Sequence, residues 1–213
     1  MFKRIDNFYK CSLHRELLDK EIFKYSLELS GKILDIGSKN RRYDEAFKNA
    51  KEIVAIDSEP KAKNVLVGNV KKIPFEDKSF DGAACFEVLE YVLETDKAFS
   101  EIARILKDKG IFIFSVPFLD PVHGDIDKVR YTKEAWLEML DKYFTVKDLH
   151  ILGGRYCVIW DFFFEKIRNN YRRIFRILLL PALLMFKKIA FICDKKEKNW
   201  RYPMGYFFIC IKK

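Results

Sequence analysis

Two short apolar segments, one ending in a glycine and the other in an acid, constrain the fold of this chain more than any other feature. Residues 33–37 read Ile-Leu-Asp-Ile-Gly, and residues 52–57 read Glu-Ile-Val-Ala-Ile-Asp. In a doubly wound α/β sheet, a glycine after the first strand lets the backbone approach a ligand, and an acid at the tip of the second strand accepts hydrogen bonds from ribose hydroxyls. The pair predicts a nucleoside site, although an ordinary strand-turn-helix unit shares the pattern.

Further blocks come after these in a fixed order. Residues 80–86 form a third apolar strand and lead into Glu-Val-Leu-Glu-Tyr-Val; a helix is predicted over 101–107, with Gly110 as its stop, and a strand over 111–116. From residue 32 to residue 140, the chain resembles the class I S-adenosylmethionine-dependent methyltransferases of the small-molecule branch (methyltransferase type 11-like). The resemblance implies S-adenosyl-L-methionine as the cofactor and methyl transfer as the activity. A catalytically inactive cofactor-binding module and a membrane-docking scaffold are the alternatives.

The fold class implied by the resemblance is α/β, with a doubly wound, Rossmann-like, seven-stranded sheet that is mostly parallel and has an antiparallel last strand. We predict strands over 32–36, 52–56, 64–67, 80–86, 111–116, 144–152 and 204–211, and a helix that begins at Thr132. We interpret residues 1–213 as one methyltransferase domain. Its parts are a leading helix in 1–31, a cofactor-binding core in 32–152, an apolar and basic helical insertion in 153–203, and a last strand in 204–213.

The first cofactor motif implied by the resemblance contains Asp35, Gly37 and Ser38, at the turn that receives the methionine end of the cofactor. The family usually places further glycines at alternate positions, but this chain continues with Lys39 and Asn40. We expect Asn40 to adopt the left-handed backbone that the missing glycines would provide, because asparagine tolerates it better than most residues.

Three further cofactor contacts are implied at the ends of the later strands. Asp57 matches the acid that binds the ribose hydroxyls. Asn69 and Val70 match the block that contacts adenine, where the Asn69 amide oxygen replaces a carboxylate as acceptor. Glu87 matches a residue near the transferring methyl group and is assigned both cofactor-binding and catalytic roles; a solvent-facing acid at the start of a helix is the alternative.

Residues 117–132 form a loop after the fifth strand, at the edge of the sheet where ligands bind in such folds. The block resembles methyltransferases often linked to surface-glycan pathways. His123 shares the loop with acids and is our candidate general base, with Arg130 and Tyr131 as further catalytic candidates. In the alternative interpretation, Asp127, Arg130 and Tyr131 only pin the loop by internal hydrogen bonds.

Composition narrows the function class. Five cysteines without a close pair suggest neither a disulfide framework nor a zinc site, so we expect no metal and a reducing cytoplasm. Residues 161–213 carry 13 basic and 4 acidic residues, which accounts for the whole net charge of +9. The catalytic region is therefore neutral overall, and we expect a small-molecule or lipid-linked acceptor and no nucleic acid.

The basic tail contains the most apolar run of the chain, residues 177–186. Ten residues are too few to span a bilayer as a helix, which needs about 20. We predict that residues 156–192 bind an anionic membrane surface as an interfacial helix or a shallow hairpin. The predicted contacts are the flanking basic residues and three aromatic residues at the boundary: Arg172, Arg173, Arg176, Lys187, Lys188, Trp160, Tyr171 and Trp200. A soluble lid over the substrate pocket or a dimer interface is the alternative.

Overall fold

A seven-stranded mixed sheet forms the centre of the protein in the computed structural model, which describes residues 8–9, 11–121, 127–170, 172–197 and 201–213. The sheet order is β3-β2-β1-β4-β5-β7-β6. The strands are β1 (Gly31–Ile36), β2 (Ala50–Asp57), β3 (Leu66–Val67), β4 (Phe80–Phe86), β5 (Leu106–Pro117), β6 (Phe144–Leu152) and β7 (Gly205–Lys212). Strand β7 pairs antiparallel with both β5 and β6, and the other pairs are parallel. The predicted fold class is confirmed.

Within the described residues, the sheet is flanked by the helices α1 (Leu13–Tyr25), α2 (Thr95–Ile105), α3 (Lys133–Asp141), α4 (Arg155–Asn170) and α5 (Arg173–Glu197). Short 3-10 segments cover Ser26–Glu28, Asp44–Ala46 and Leu89–Tyr91. The side chain of Ser12 accepts the Arg15 N–H at 3.2 Å and caps α1, and that of Thr132 accepts the Ala135 N–H and caps α3 as predicted.

The central strands are apolar along their length because both faces of the sheet are covered. On one face, Phe112 and Phe114 of β5 pack against Phe99 of α2. On the other face, Ile33 and Ile113 contact the apolar side of α1 and the segment around Tyr43. Burial on both faces gives near-continuous apolar runs, which is why β1, β4 and β5 were readable from the sequence.

Gly110 does not stop a helix, contrary to our prediction. Helix α2 ends at Ile105, and β5 begins at once with Leu106, which pairs with Phe80. The pairing then shifts register, so that Gly82 faces Ile111. A Cβ on Gly110 would lie 2.9 Å from the Lys107 carbonyl oxygen, so the glycine permits a tight irregularity within the strand.

Helices α4 and α5 form a hairpin between β6 and β7, the position predicted for the insertion. The Asp194 carboxylate of α5 accepts backbone N–H groups of Gly154, Tyr156 and Cys157 at 2.8 to 3.0 Å, which caps the start of α4. Trp160 is buried and donates to the Leu183 carbonyl, so its predicted place at a membrane boundary is wrong. Tyr171 and Trp200 lie outside the described residues. Among the described residues, no helix has the length and hydropathy that a membrane span requires.

Candidate cofactor and active site

Strands β1, β2 and β4 end side by side at one edge of the sheet, and a cleft of about 740 Å³ opens there. This is the carboxyl edge, where open α/β sheets bind ligands. The cleft is lined by five of the residues that the sequence predicts for the cofactor: Gly37, Asp57, Asn69, Val70 and Glu87.

Gly37 lets the loop after β1 approach the segment after β4. Its φ is +77°, and a Cβ would lie 2.2 Å from Cγ2 of Val88, so no side chain fits there. The next positions with left-handed backbone are Lys39, at φ 41°, and Arg41, at φ 56°, and not Asn40 as we expected. The missing glycines are therefore replaced by strained residues.

Asp57 lies half-buried at the tip of β2 and already accepts two backbone hydrogen bonds. Oδ2 accepts the Lys39 N–H at 3.0 Å, and Oδ1 accepts the Glu59 N–H at 2.8 Å. A carboxylate offers about four acceptor positions. Two therefore remain for a pair of vicinal hydroxyl groups, so the carboxylate fits a ribose.

Asn69 and Val70 lie across the cleft from the loop after β1. The Asn69 side-chain oxygen accepts the Lys71 N–H at 2.9 Å. One acceptor position of that oxygen is therefore used within the turn, and one remains for a ligand amino group. Val70 is buried and supplies an apolar wall suited to a base.

A second cavity of about 170 Å³ adjoins the first and shares Gly37 and Glu87 with it. Asp35, Ser38 and Arg15 also line it. Burial raises the pKa of Asp35 to about 7, despite the opposing influence of the neighbouring Ser38 hydroxyl. Ser38 Oγ is buried without a hydrogen-bond partner of good geometry among the described residues, so it is available to a polar ligand group.

Arg15 is a lining residue that the sequence did not predict. Its guanidinium donates to the Tyr43 hydroxyl at 2.9 Å, and that hydroxyl donates to Asp19 at 2.8 Å. The side chain thus presents a positive charge to the smaller cavity from α1. Together with Ser38, it makes this cavity suitable for the charged end of an amino acid.

Glu87 is buried where the two cavities meet, so the alternative of a solvent-facing acid is wrong. One carboxylate oxygen lies 3.0 Å from His14 Nε2, and the other accepts the Ser115 hydroxyl at 2.8 Å. Desolvation raises the pKa of Glu87, but His14, Arg15 and Ser115 outweigh it and hold the pKa below its usual value. His14 was missed because 73 residues separate it from Glu87 and no local pattern connects them.

Glu90 adds a second buried carboxyl near Glu87. Both of its side-chain oxygens lack hydrogen-bond partners among the described residues. Burial, with the charges of Glu87 and Asp127, raises the pKa of Glu90 to about 9. Glu90 is therefore neutral near pH 7, and Glu87 carries the negative charge at this point.

Arg130 and Tyr131 line neither cavity. The Arg130 guanidinium donates to the Phe118 carbonyl at 3.0 Å and to the Asp127 carboxylate, and the Tyr131 ring packs edge-on against Trp136. These contacts support the interpretation that both residues pin the loop. His123 lies outside the described residues, and its role as a base stays a prediction.

Comparisons with known proteins agree with this geometry. Residues 34–114 match the family model for a methyltransferase domain. The uncharacterised protein MJ1252 of Methanocaldococcus jannaschii is 32% identical over 120 residues, which cover 54% of this chain and 47% of that protein. The chain thus spans about half the length of this curated relative.

Solved structures with the same fold include the cyclase SpnF and a phosphoethanolamine N-methyltransferase. The cyclase SpnF superposes with a TM-score of 0.60 at 21% identity, covering 91% of this chain and 80% of its own. Phosphoethanolamine N-methyltransferase 2 of Haemonchus contortus, in complex with S-adenosyl-L-methionine, has a TM-score of 0.54 at 17% identity, covering 87% and 49%. At these identities the likeness is one of fold, and function must be argued from the site.

Proposed function

The chain belongs to the class I S-adenosylmethionine-dependent methyltransferases of the small-molecule branch, and from this premise we propose that it transfers a methyl group from S-adenosyl-L-methionine to a small-molecule acceptor. One observation carries the proposal. All seven residues that the sequence predicts for the cofactor line two adjoining cavities at the carboxyl edge of the sheet: Asp35, Gly37, Ser38, Asp57, Asn69, Val70 and Glu87.

Each cavity would hold a different part of the cofactor. Asn69 and Val70 would hold the adenine, and Asp57 the ribose hydroxyls. Ser38 and Arg15 would hold the amino-acid end in the smaller cavity. When bound, the cofactor supplies an electrophilic methyl group on a sulfonium sulfur. The chain itself contributes alignment and exclusion of water, which account for much of the rate in a direct transfer.

The test of this proposal is calorimetric titration with S-adenosylhomocysteine, the demethylated product. Asp57→Ala is expected to weaken binding by about 1 to 3 kcal/mol, because it removes charge-assisted hydrogen bonds to the ribose. Asp108→Ala, an exposed acid outside the cleft, is the matched control and should bind as the wild type does. Equal affinity in the folded Asp57→Ala variant would overturn the assignment.

A second proposal concerns the acceptor, which we infer is lipid-linked and reached at an anionic membrane surface. Helix α5 carries an exposed apolar stripe at helical spacing, unlike a solvated helix, which faces water with polar residues. The stripe consists of Ile174, Leu178, Pro181, Met185, Ile189 and Ile192. Phe162 and Phe163 of α4, 77% and 56% exposed, extend this apolar surface.

Charge complementarity favours a membrane over other partners for this surface. Most of the hairpin, including all of α5, lies within residues 161–213, which carry the whole net charge. Arg172, Lys188 and Lys195 are exposed beside the stripe. Lys187 and Arg176 are engaged internally, with Glu16 and the Tyr9 ring, so they are not headgroup contacts as predicted. The resemblance of the loop at 117–132 to glycan methyltransferases supports a glycan carried on a lipid as the acceptor.

Sedimentation with phosphatidylserine-containing vesicles tests the membrane proposal. The protein should pellet with them at low salt and be partly released at high salt, because each basic residue near such a surface contributes about 1 kcal/mol and salt screens it. Reversing the charges of Arg172, Lys188 and Lys195 should abolish pelleting. Reversing the charges of Lys48, Lys51 and Lys63, which are exposed on the cofactor-binding part of the chain, should not. Failure of the wild type to pellet at low salt would overturn the membrane proposal, and dimerisation through α5 would then identify this surface as a dimer interface.

A further inference from the structure

His14 and Glu87 form a buried pair that neither the sequence motifs nor the comparisons assign. His14 is 1% exposed and lies in the first turn of α1, where the Asp161 carboxylate of α4 accepts the Leu13 N–H at 3.0 Å. A Cβ on Gly205 would lie 2.8 Å from His14 Cε1, so this glycine of β7 makes room for the ring. Three elements thus fix the imidazole in place.

The carboxylate of Glu87 lies between this ring and the cofactor cavities. Glu87 lines both cavities, whereas His14 lines neither. Glu87 also adopts left-handed backbone at φ 55°, and its N–H donates to the Ser115 carbonyl at 3.2 Å. Left-handed backbone in a non-glycine residue is strained and persists where surrounding contacts enforce it. The negative end of the pair therefore faces the ligand.

The position of Glu87 along the cleft identifies the ligand atom that it faces. Asp57 lies in the larger cavity on one side, and Ser38 and Arg15 lie in the smaller cavity on the other. In S-adenosylmethionine, the sulfonium sulfur joins the ribose to the amino-acid chain. A cofactor held as proposed above would place its positive sulfur where the two cavities adjoin. Glu87 is the one acid among the described residues that line both cavities.

We propose that His14 is a positioning residue that keeps Glu87 ionised and directed at the sulfonium, so that the site prefers the charged methyl donor to its neutral product. This inference rests on the proposed function. It gives a role to a histidine that is buried beneath the site and paired with Glu87.

The charges around the pair determine the effect of removing His14. His14 faces Glu87, Asp120 of the loop after β5, Asp161 of α4 and Arg15 of its own helix. Glu87 faces His14, Arg15, Ser115 and the neutral Glu90. Desolvation is the largest influence on the pKa of Glu87 and raises it. Without the imidazolium, we therefore expect the pKa of Glu87 to rise, because only Arg15 and Ser115 then oppose desolvation.

Calorimetric titrations of His14→Gln with S-adenosylmethionine and S-adenosylhomocysteine test the inference. At pH 6.5 (about the ordinary pKa of histidine), the preference of the variant for the charged ligand should fall about tenfold relative to the wild type. The loss should shrink as the pH rises and Glu87 ionises again, which a purely structural role would not produce. His150→Gln, a β6 histidine paired with Asp148 outside the cleft, should behave as the wild type does.

A measurement on the wild type keeps the inference testable if His14→Gln does not fold. In NMR titrations, S-adenosylmethionine should lower the pKa of His14 relative to the complex with S-adenosylhomocysteine, because the sulfonium lies near the imidazolium. Equal His14 pKa values in the two complexes, or an unchanged ligand preference in the folded variant, would overturn the inference alone. Absence of binding of either ligand to the wild type would overturn the proposed function as well.

Discussion

The cofactor cleft and the helical hairpin use apolar residues in opposite ways. Around the cleft, apolar strands are buried on both sides, and only their ends carry the polar groups that face a ligand. On the hairpin, one side of α5 packs through Leu183 and Ala190, while its other side exposes apolar residues. The hairpin leaves an exposed apolar surface of the kind that often marks an interaction site.

This difference separates two parts of the proposed function. In the proposed function, the cleft binds the methyl donor, and the hairpin brings the protein to the surface where the acceptor lies. The two are joined through α1, because Asp161 of α4 holds the start of the helix that carries His14 and Arg15. Variants that affect one region and spare the other will show how independent they are.

The largest expected effect lies inside the hairpin. Phe164 is 1% exposed and stacks on Trp160 at 4.5 Å and on Tyr9 at 5.5 Å. Phe164→Ala is expected to lower the free energy of unfolding by about 3 to 5 kcal/mol through loss of burial and creation of a cavity. Phe162→Ala is the matched control on the same helix and should change it by less than about 0.5 kcal/mol.

The same pair sharpens the comparison in a vesicle assay. Phe162→Ala should weaken pelleting with anionic vesicles, because the ring belongs to the exposed apolar surface. Denaturant unfolding gives the free energy of unfolding of each variant, and sedimentation of the same preparations gives the fraction that pellets with vesicles. Equal stability losses in the two variants would show that the hairpin does not have distinct packed and exposed sides.

The next effect is a pH dependence in the cleft. The folded state holds a proton on Asp35 up to about pH 7, whereas the unfolded state releases it near pH 4. Stability contributed by this group is therefore highest below its unfolded pKa and falls as the pH rises toward 7. Asp35→Asn should be stabilised relative to the wild type, by about 2 to 3 kcal/mol more at pH 8 than at pH 5.

Denaturant unfolding at both pH values measures this difference, and the exposed Asp108→Asn serves as the control. If the gain from Asp35→Asn were the same at pH 5 and pH 8, Asp35 would already be ionised in the folded protein. The cleft would then present a charged acid beside Ser38 rather than a neutral one.

The smallest expected effect concerns the loop after β1. Lys39 has left-handed backbone, which costs about 1 to 2 kcal/mol. Glycine would relieve this strain, but its greater freedom in the unfolded chain offsets part of the gain in stability. Lys39→Gly should therefore stabilise the fold by about 0.5 to 1 kcal/mol. The hydrogen bond to Asp57 should persist in this variant, because Lys39 donates it through its backbone N–H. Lys63→Gly, at a position without positive φ, should give no gain in thermal unfolding.

The sequence predicted the cleft well because strand ends are local features. Each motif residue comes directly after a buried apolar run, so Gly37, Asp57 and Glu87 were brought to one edge by the parallel sheet alone. Arg15 and His14 could not be found in this way. Both belong to α1, from which Arg15 lines the smaller cavity and His14 contacts Glu87. The docking of that helix depends on long-range contacts such as the Asp161 carboxylate with the Leu13 N–H.

The sequence predicted the apolar and basic composition of the hairpin, but not which side of each helix is buried. The apolar run at 177–186 and the basic excess were visible, but which side of each helix faces the core depends on packing. Trp160 and Lys187 therefore turned inward against our expectation, while Phe162 and Met185 stayed exposed. Apolar residues on both sides of a helix give no periodic signal from which to choose.

The central claim is that the two adjoining cavities hold one S-adenosyl group across Glu87. A crystal structure with S-adenosylhomocysteine tests it most directly. The account predicts ribose hydroxyls at about 2.7 to 3.0 Å from the Asp57 carboxylate, adenine against Val70, and the amino-acid end beside Ser38 and Arg15. A ligand bound with its ribose away from Asp57, or with its amino-acid end outside the smaller cavity, would contradict it.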